Sequence, residues 1–261
     1  MKKSITKKLS LATRAIHGKH LHAFKGPVAT PIYQTSTYRF KDSKDAIRYA
    51  QGDPTVYVYT RYHNPTVNEV EDRIALMEEG EAAALFSSGM AAISTAILCL
   101  CKSGDEVVST PALYGGTYRF FRDSLRDYGI NVKYVEPNSL EDLLYIITPK
   151  TKVVYFETPT NPTLSLVDIG KLTRITRRVE KEFRSRITIV IDNTFSTILN
   201  QKPFDFGVDV IMESTTKYLG GHADLMGGVL IGTKQFIKQA KDLLKHLGGC
   251  ADPFAAFLIE E

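Results

Sequence analysis

The feature that most restricts the fold is a set of short, unbroken apolar runs rich in β-branched residues, of which ITIVID (187–192) is the clearest. A strand with water on one face alternates apolar and polar residues. An unbroken apolar run suits a strand covered on both faces, as in a parallel sheet with helices on either side. Comparable runs at Ala83–Phe86, Glu106–Ser109, Asn131–Val135, Val153–Glu157 and Val208–Glu213 are bounded by turn residues. Helical patterns separate several of them. One opens at Thr66 and Glu69, a candidate capping box, and runs through Val70, Ile74 and Met77 to a stop at Gly80. Others run from Ser87-Ser88-Gly89 to about Cys101, from Tyr114 to Arg126, and from about Asp168 to Phe183. Strand–helix alternation predicts an α/β fold, a mostly parallel sheet flanked by helices. In such sheets ligands gather beyond the carboxyl ends of the strands, so the residues just after each run are where chemistry is expected.

Composition narrows the class of protein. The 261 residues are 43% apolar and 24% charged, ordinary for a globular chain and unlike a disordered or fibrous one. Three cysteines (Cys99, Cys101, Cys250) are too few for a disulfide framework and fit a reducing cytoplasm. No apolar run approaches the roughly 18 residues of a membrane span, and no apolar segment backs the basic start MKKSITKKLS as in a secretory leader. A soluble cytoplasmic protein without a membrane partner is expected. Residues 1–41 hold nine Lys/Arg and no Asp/Glu, which leaves the rest of the chain mildly acidic. A basic arm of this kind suits a nucleic acid or a targeting role. It turns apolar at Pro31, Ile32 and Tyr33, however, and reads as a solvated arm packing on a neighbouring subunit, so no nucleic-acid partner is expected.

The residues after the strands are individually bland. Ser87-Ser88-Gly89-Met90 offers hydroxyls and free amides at a helix start, which suits a phosphate, although Ser-Gly turns commonly just cap helices. Asp192 ends ITIVID, where Asp-Asn-Thr also reads as a turn. Lys217 lies in ESTTKYLGGHAD between Ser214-Thr215-Thr216 and Gly220-Gly221, and a loop lysine there is ordinarily a surface lysine. Together they form a set: a phosphate cup, a carboxylate and a lysine at successive strand ends are what pyridoxal phosphate requires. The lysine joins the aldehyde as a Schiff base, and the carboxylate keeps the pyridine nitrogen protonated. Tyr114 is placed to stack on the ring. Competing signatures are incomplete. There is no G-x-G-x-x-G and no G-x-S-x-G, and Ser214–Lys217 matches S-x-x-K without its companion motifs. His17, His20 and His22 read as loop histidines in the absence of a ligand set, so no metal is expected. Cys99 and Cys101 read as core.

The chain resembles the cystathionine γ-synthase/γ-lyase (Cys/Met metabolism) family of fold type I pyridoxal phosphate enzymes. The resemblance is carried in order by PIYQTSTYRF, YTRYHNPT, FSSGMAA, LYGGTYRFF, FETPTNPT, VIDNTFST and STTKYLGGHADLMGG. It implies Lys217 as Schiff-base lysine and proton shuttle, and Asp192 as partner of the pyridine nitrogen. It implies Ser88, Gly89, Met90, Ser214 and Thr216 around the phosphate, and Tyr114 stacked on the ring and assisting proton transfer. Asn161 falls beside the ring oxygen and the substrate. Tyr59 and Arg61 belong to a segment that in relatives reaches the phosphate held by the neighbouring subunit, which implies a composite site in a homo-oligomer, a dimer of dimers. The implied activity is elimination or replacement on sulfur amino acids or activated homoserine esters, nearest to cystathionine γ-synthase or γ-lyase. O-acyl-homoserine sulfhydrylase and methionine γ-lyase are alternatives within the family, and a truncated, non-catalytic cofactor-binding or assembly subunit is the alternative outside it.

Two positions depart from the pattern. Glu213 stands where relatives often have histidine and is expected to alter charge near the phosphate. Gly116 stands where the methionine γ-lyase branch has cysteine and, with Arg119, favours the cystathionine enzymes. The expected organisation is an N-terminal arm (1–62), a cofactor-binding α/β domain (63–255) and the start of a truncated C-terminal region (256–261). Asp252-Pro253 opens a final helix there, whose Phe254, Phe257 and Leu258 are expected to lack cover.

Overall fold

A computed structural model describes residues 9–16, 27 and 29–260; His17, His20 and His22 lie outside the described residues. Its helices include α1 (Leu11–Ile16), α2 (Ser43–Ala50), α3 (Pro65–Met77), α4 (Gly89–Leu100), α5 (Gly115–Arg119), α6 (Ile169–Phe183), α7 (Lys234–Leu247) and α8 (Pro253–Glu260). The strands are β1 (Ala82–Phe86), β2 (Glu106–Ser109), β3 (Asn131–Tyr134), β4 (Thr151–Glu157), β5 (Thr188–Asp192), β6 (Val210–Glu213) and β7 (Gly228–Gly232). They form one sheet in the order β1-β7-β6-β5-β4-β2-β3. Only β7 runs against its neighbours, pairing antiparallel with both β1 and β6. Two reversals restore the direction, so β1 points the same way as β4, β5 and β6. All four deliver their carboxyl ends to one edge.

Helices cover both faces, as the apolar runs require. On one face α4 and α7 pack over Phe86, Val107, Val153, Tyr155, Val190, Val210 and Leu230. On the other, α6 buries Ile169, Leu172 and Val179 against Val154, Phe156, Ile189 and Ile191. Beside it α3 and α8 cover Leu85, Ile211, Val229 and Ile231. The buried positions of α6 recur at helical spacing, Ile169, Leu172, Thr173, Thr176 and Val179, and its other face is polar. No helix among the described residues is long and apolar enough to cross a membrane.

Three expectations are revised. The helix opening near Thr66 is capped by Asn64, whose Oδ1 accepts from the Thr66 and Val67 amides, with Pro65 in the first turn. Thr66 Oγ1 instead donates to the Pro31 carbonyl and accepts from the Tyr33 amide, fastening the incoming segment. The helix expected from Tyr114 to Arg126 is broken by a π-helical stretch at Phe120–Ser124. In the last helix, capped by Asp252, only Phe254 of the three named apolar residues is exposed, because Ala256 and its neighbours pack on α3.

Asn64 does more than cap. It is fully buried, and its Nδ2 donates to the Tyr33 carbonyl, the Tyr38 hydroxyl and Thr60 Oγ1. Asn64→Ala therefore strips a helix cap and leaves half-buried acceptors unpaired. A loss of about 2 kcal/mol of folding stability is expected. Urea denaturation checks it, and a variant within about 0.5 kcal/mol of the parent would contradict it.

Candidate active site

A cavity of about 300 Å³ opens at the carboxyl edge of the sheet. Ser88, Gly89 and Met90 line it from the end of β1 and the start of α4, Tyr114 from the turn after β2, and Glu157 and Asn161 from the end of β4. Asp192, Thr194 and Phe195 follow β5, and Ser214, Thr216, Lys217 and Met226 follow β6. Of the residues singled out in the sequence, nine are therefore brought together: Ser88, Gly89, Met90, Tyr114, Asn161, Asp192, Ser214, Thr216 and Lys217. Tyr59 and Arg61 are not on this wall. The Arg61 guanidinium lies over the Tyr59 and Tyr62 rings and donates to the Lys245 carbonyl at the end of α7.

The anion-binding corner follows from backbone geometry. Ser88 caps α4, and its Oγ accepts from the Ala91 amide at 3.1 Å. The amides of Gly89 and Met90 come before the first intrahelical donor, the Ala92 amide bonded to the Ser88 carbonyl, and have no intrahelical carbonyl to reach, so they remain available to an anion. Close approach is what the glycines allow. A Cβ on Gly228 would fall 2.5 Å from the Ser88 carbonyl oxygen, and one on Gly89 would press on Met212 and Ser214 at 3.2 Å. The loop that carries Lys217 is tied down locally. Thr216 Oγ1 donates to the Gly227 carbonyl and accepts from its amide, and the Gly221 amide donates to the Lys217 carbonyl. Lys217 itself is exposed to the cavity and has no ion-pair partner among the described residues.

Asp192 occupies the middle of the floor. Its Oδ1 accepts from the Thr194 amide at 3.0 Å and its Oδ2 from the Tyr155 hydroxyl at 3.3 Å. The carboxylate that closes the turn with the Thr194 amide is thus also one that lines the cavity. Burial pushes its proton affinity up. Next to it in register, Glu157 ends β4 as Asp192 ends β5. Glu157 is 3% exposed, and burial together with Asp192 pushes its carboxyl up to about 8. Two adjacent carboxyls shifted in this direction both favour the protonated form in the absence of a nearby cation. Glu157 was not among the residues expected here, although ending an apolar run as Asp192 does was the available signal.

Glu213 departs from expectation. Strand alternation turns Met212 and the following Ser214 toward the cavity, and Glu213 the other way, against Asn193 and Glu78. Its carboxyl does not line the cavity. No cluster of three or more metal-ligating side chains occurs among the described residues. Cys101 is buried in the core with Cys99 packed beside it, and all three cysteines are unpaired.

Comparison with known proteins matches this geometry. The sequence model of the Cys/Met metabolism PLP-dependent enzymes matches residues 12–261. An L-methionine gamma-lyase of Porphyromonas gingivalis is 40% identical over 261 residues, 99% of this chain and 64% of that protein. A cystathionine gamma-synthase/O-acetylhomoserine (thiol)-lyase of Bacillus subtilis is 38% identical, covering 90% of this chain and 59% of that protein. Among solved structures, cystathionine gamma-lyase from Lactobacillus plantarum complexed with L-serine superposes with a TM-score of 0.85 at 32% identity, over 97% of this chain and 62% of that one. The chain thus spans somewhat under two thirds of the length of these relatives.

Proposed function

The chain belongs to the Cys/Met metabolism PLP-dependent enzymes, and from that premise we propose that it binds pyridoxal 5'-phosphate and acts on sulfur amino acids or activated homoserine esters by elimination or replacement. The observation that carries this reading is the convergence on one cavity of an unpaired lysine, a floor carboxylate and the open amides of a helix N-terminus. That donor set suits an aldehyde, a pyridine nitrogen and a phosphate, and little else of that size.

Ser88, Gly89 and Met90 would hold the phosphate with the α4 dipole behind them, joined by Ser214 and Thr216. Asp192 would pair with the ring nitrogen, kept in place by the Thr194 amide and the Tyr155 hydroxyl. Tyr114 would cover one face of the ring, and Asn161 would stand beside its oxygen and the substrate. When bound, the cofactor supplies an electron sink for charge developing at the substrate α-carbon. Lys217, on the cavity wall, takes the α-proton and returns it at a later atom as general base and acid. The half-exposed Tyr114 hydroxyl assists at the mouth. Tyr59 and Arg61 do not line this cavity, which supports their serving a second copy of the chain, in a dimer of dimers with composite sites. The three unpaired cysteines support a cytoplasmic location. Relatives named as lyases and as a synthase match comparably well, so substrate class is proposed at the level of the family's sulfur amino acids and homoserine esters.

The test is to load the purified chain with pyridoxal phosphate, reduce it with borohydride and map the labelled peptide. The loaded chain is then offered L-methionine, L-cystathionine and O-acetylhomoserine in turn while 2-oxo acid and thiol release are followed. Label confined to Lys217 is the expected result. Label spread over surface lysines, or none in folded protein, would remove the reading.

A further inference from the structure

We propose that Glu157 is a positioning residue of this site, whose carboxyl ties the Tyr114 and Asn161 backbones together and thereby sets the tyrosine ring over the cavity. The inference rests on the cofactor reading above.

A carboxyl buried to 3% exposure is costly to keep, and no cation among the described residues pairs with Glu157. Its bonds instead go to amides of two loops. The Tyr114 amide reaches both oxygens, at 2.8 Å to Oε1 and 2.9 Å to Oε2, and the Asn161 amide lies 3.4 Å from Oε2. These loops follow different strands, and each carries one of the side chains that would touch the ring and its oxygen. Tyr114 has little else to hold it. It stands at the N-cap of α5 without a side-chain cap bond and is 49% exposed. Below its ring lies Gly116, where an added Cβ would come within 2.6 Å of Tyr114 Cε1. Among the described residues, a bare glycine beneath the ring and the Glu157 clamp on its own amide place it, with the Tyr114 carbonyl accepting from the Tyr118 amide. Because both Glu157 oxygens are engaged, the side chain serves by holding rather than by exchanging protons with substrate.

A double-mutant cycle on the full chain tests this, with Glu157→Gln and Tyr114→Ala and with pyridoxal phosphate affinity read from the visible band of the loaded protein. The glutamine amide sets a donor against the Tyr114 N–H. Each single variant is expected to weaken binding about tenfold, and the double variant by little more than either alone, because both remove the same ring placement. Visible circular dichroism of the loaded chain should fall to a similar extent in all three variants. Glu157→Asp keeps the carboxyl but shortens the reach, and it should show the same coupling, so the test stands if the glutamine variant folds poorly. Effects that multiply to about a hundredfold would overturn the inference, as would a Glu157→Gln chain that binds like the parent. Either result leaves the cofactor reading intact if the parent is labelled at Lys217. A parent that takes up no cofactor overturns the reading and this inference together.

Discussion

A Lys217→Ala chain is expected to take up pyridoxal phosphate yet acquire no borohydride-stable label, and to exchange the α-proton of an amino-acid substrate at least about a thousandfold more slowly than the parent. The magnitude follows from what the residue does. Lys217 is the lysine on the cavity wall, and its removal takes away the covalent anchor and the base together. The fold should not suffer. The loop from Ser214 to Gly227 is held by bonds that the substitution does not touch: the Lys217 amide to the Ser214 carbonyl, the Gly221 amide to the Lys217 carbonyl, and the reciprocal pair between Thr216 and Gly227. The variant therefore separates chemistry from structure. Exchange is followed by NMR in deuterated water and attachment by peptide mapping. If another lysine became labelled, or if exchange fell by less than about tenfold, a different group would have to be the base.

The sheet was legible because burial on both faces leaves a direct mark. The run expected at 187–192 forms a strand over Thr188–Asp192, and the one expected at Glu106–Ser109 forms a strand with those bounds. β7 left a weaker mark. Gly228–Gly232 reads GVLIG, short and bounded by glycines, and its antiparallel insertion between β1 and β6 is a long-range pairing that no local pattern announces. Asn64 was passed over as a cap because Thr66 and Glu69 fit the capping box equally well in one dimension. Only the arrival of Pro31 and Tyr33 beside the helix gives Thr66 other work. Asn161 came only from the family resemblance, whereas Ser88, Gly89, Met90, Tyr114, Asp192, Ser214, Thr216 and Lys217 were legible from their place after strands. Glu157 and Glu213 were not, because the side of the sheet a strand-end carboxyl faces depends on register. One faces the cavity and the other turns into the opposite layer.

That opposite layer holds the chain's most unusual electrostatic feature, and it sets how stability should vary with pH. Glu78 and Glu213 are 5% and 1% exposed. Glu213 Oε1 accepts from Asn193 Nδ2 at 2.9 Å, while both Glu78 oxygens and Glu213 Oε2 have no other protein donor. Two facing carboxyls need one proton between them, since two buried negative charges in contact are not tolerable. Burial pushes Glu78 up to about 7, Lys202 opposing it from outside, and burial with Glu78 beside it raises Glu213 well above the usual carboxylate range. The sign follows from proton counts. In the unfolded chain these groups ionise near 4.5, whereas the folded chain retains the shared proton, so the folded state binds more protons between those values. Folding stability should therefore be greatest, as far as this pair is concerned, at or below pH 4.5 and fall as pH rises to about 7, by about 3 kcal/mol. Glu157, held up by its own burial, adds a loss of the same sign toward higher pH. Glu213→Gln supplies a permanent donor to Glu78 and removes one charge, so it isolates the pair. At pH 8 it is expected to gain about 2 kcal/mol over the parent, roughly 4–8 °C in Tm, while the two converge near pH 5. Urea denaturation of both chains from pH 5 to 8.5 decides it. Parallel curves would mean that Glu78 and Glu213 carry no shared proton, and a variant less stable at pH 8 would mean that the charge on Glu213 is needed by the fold.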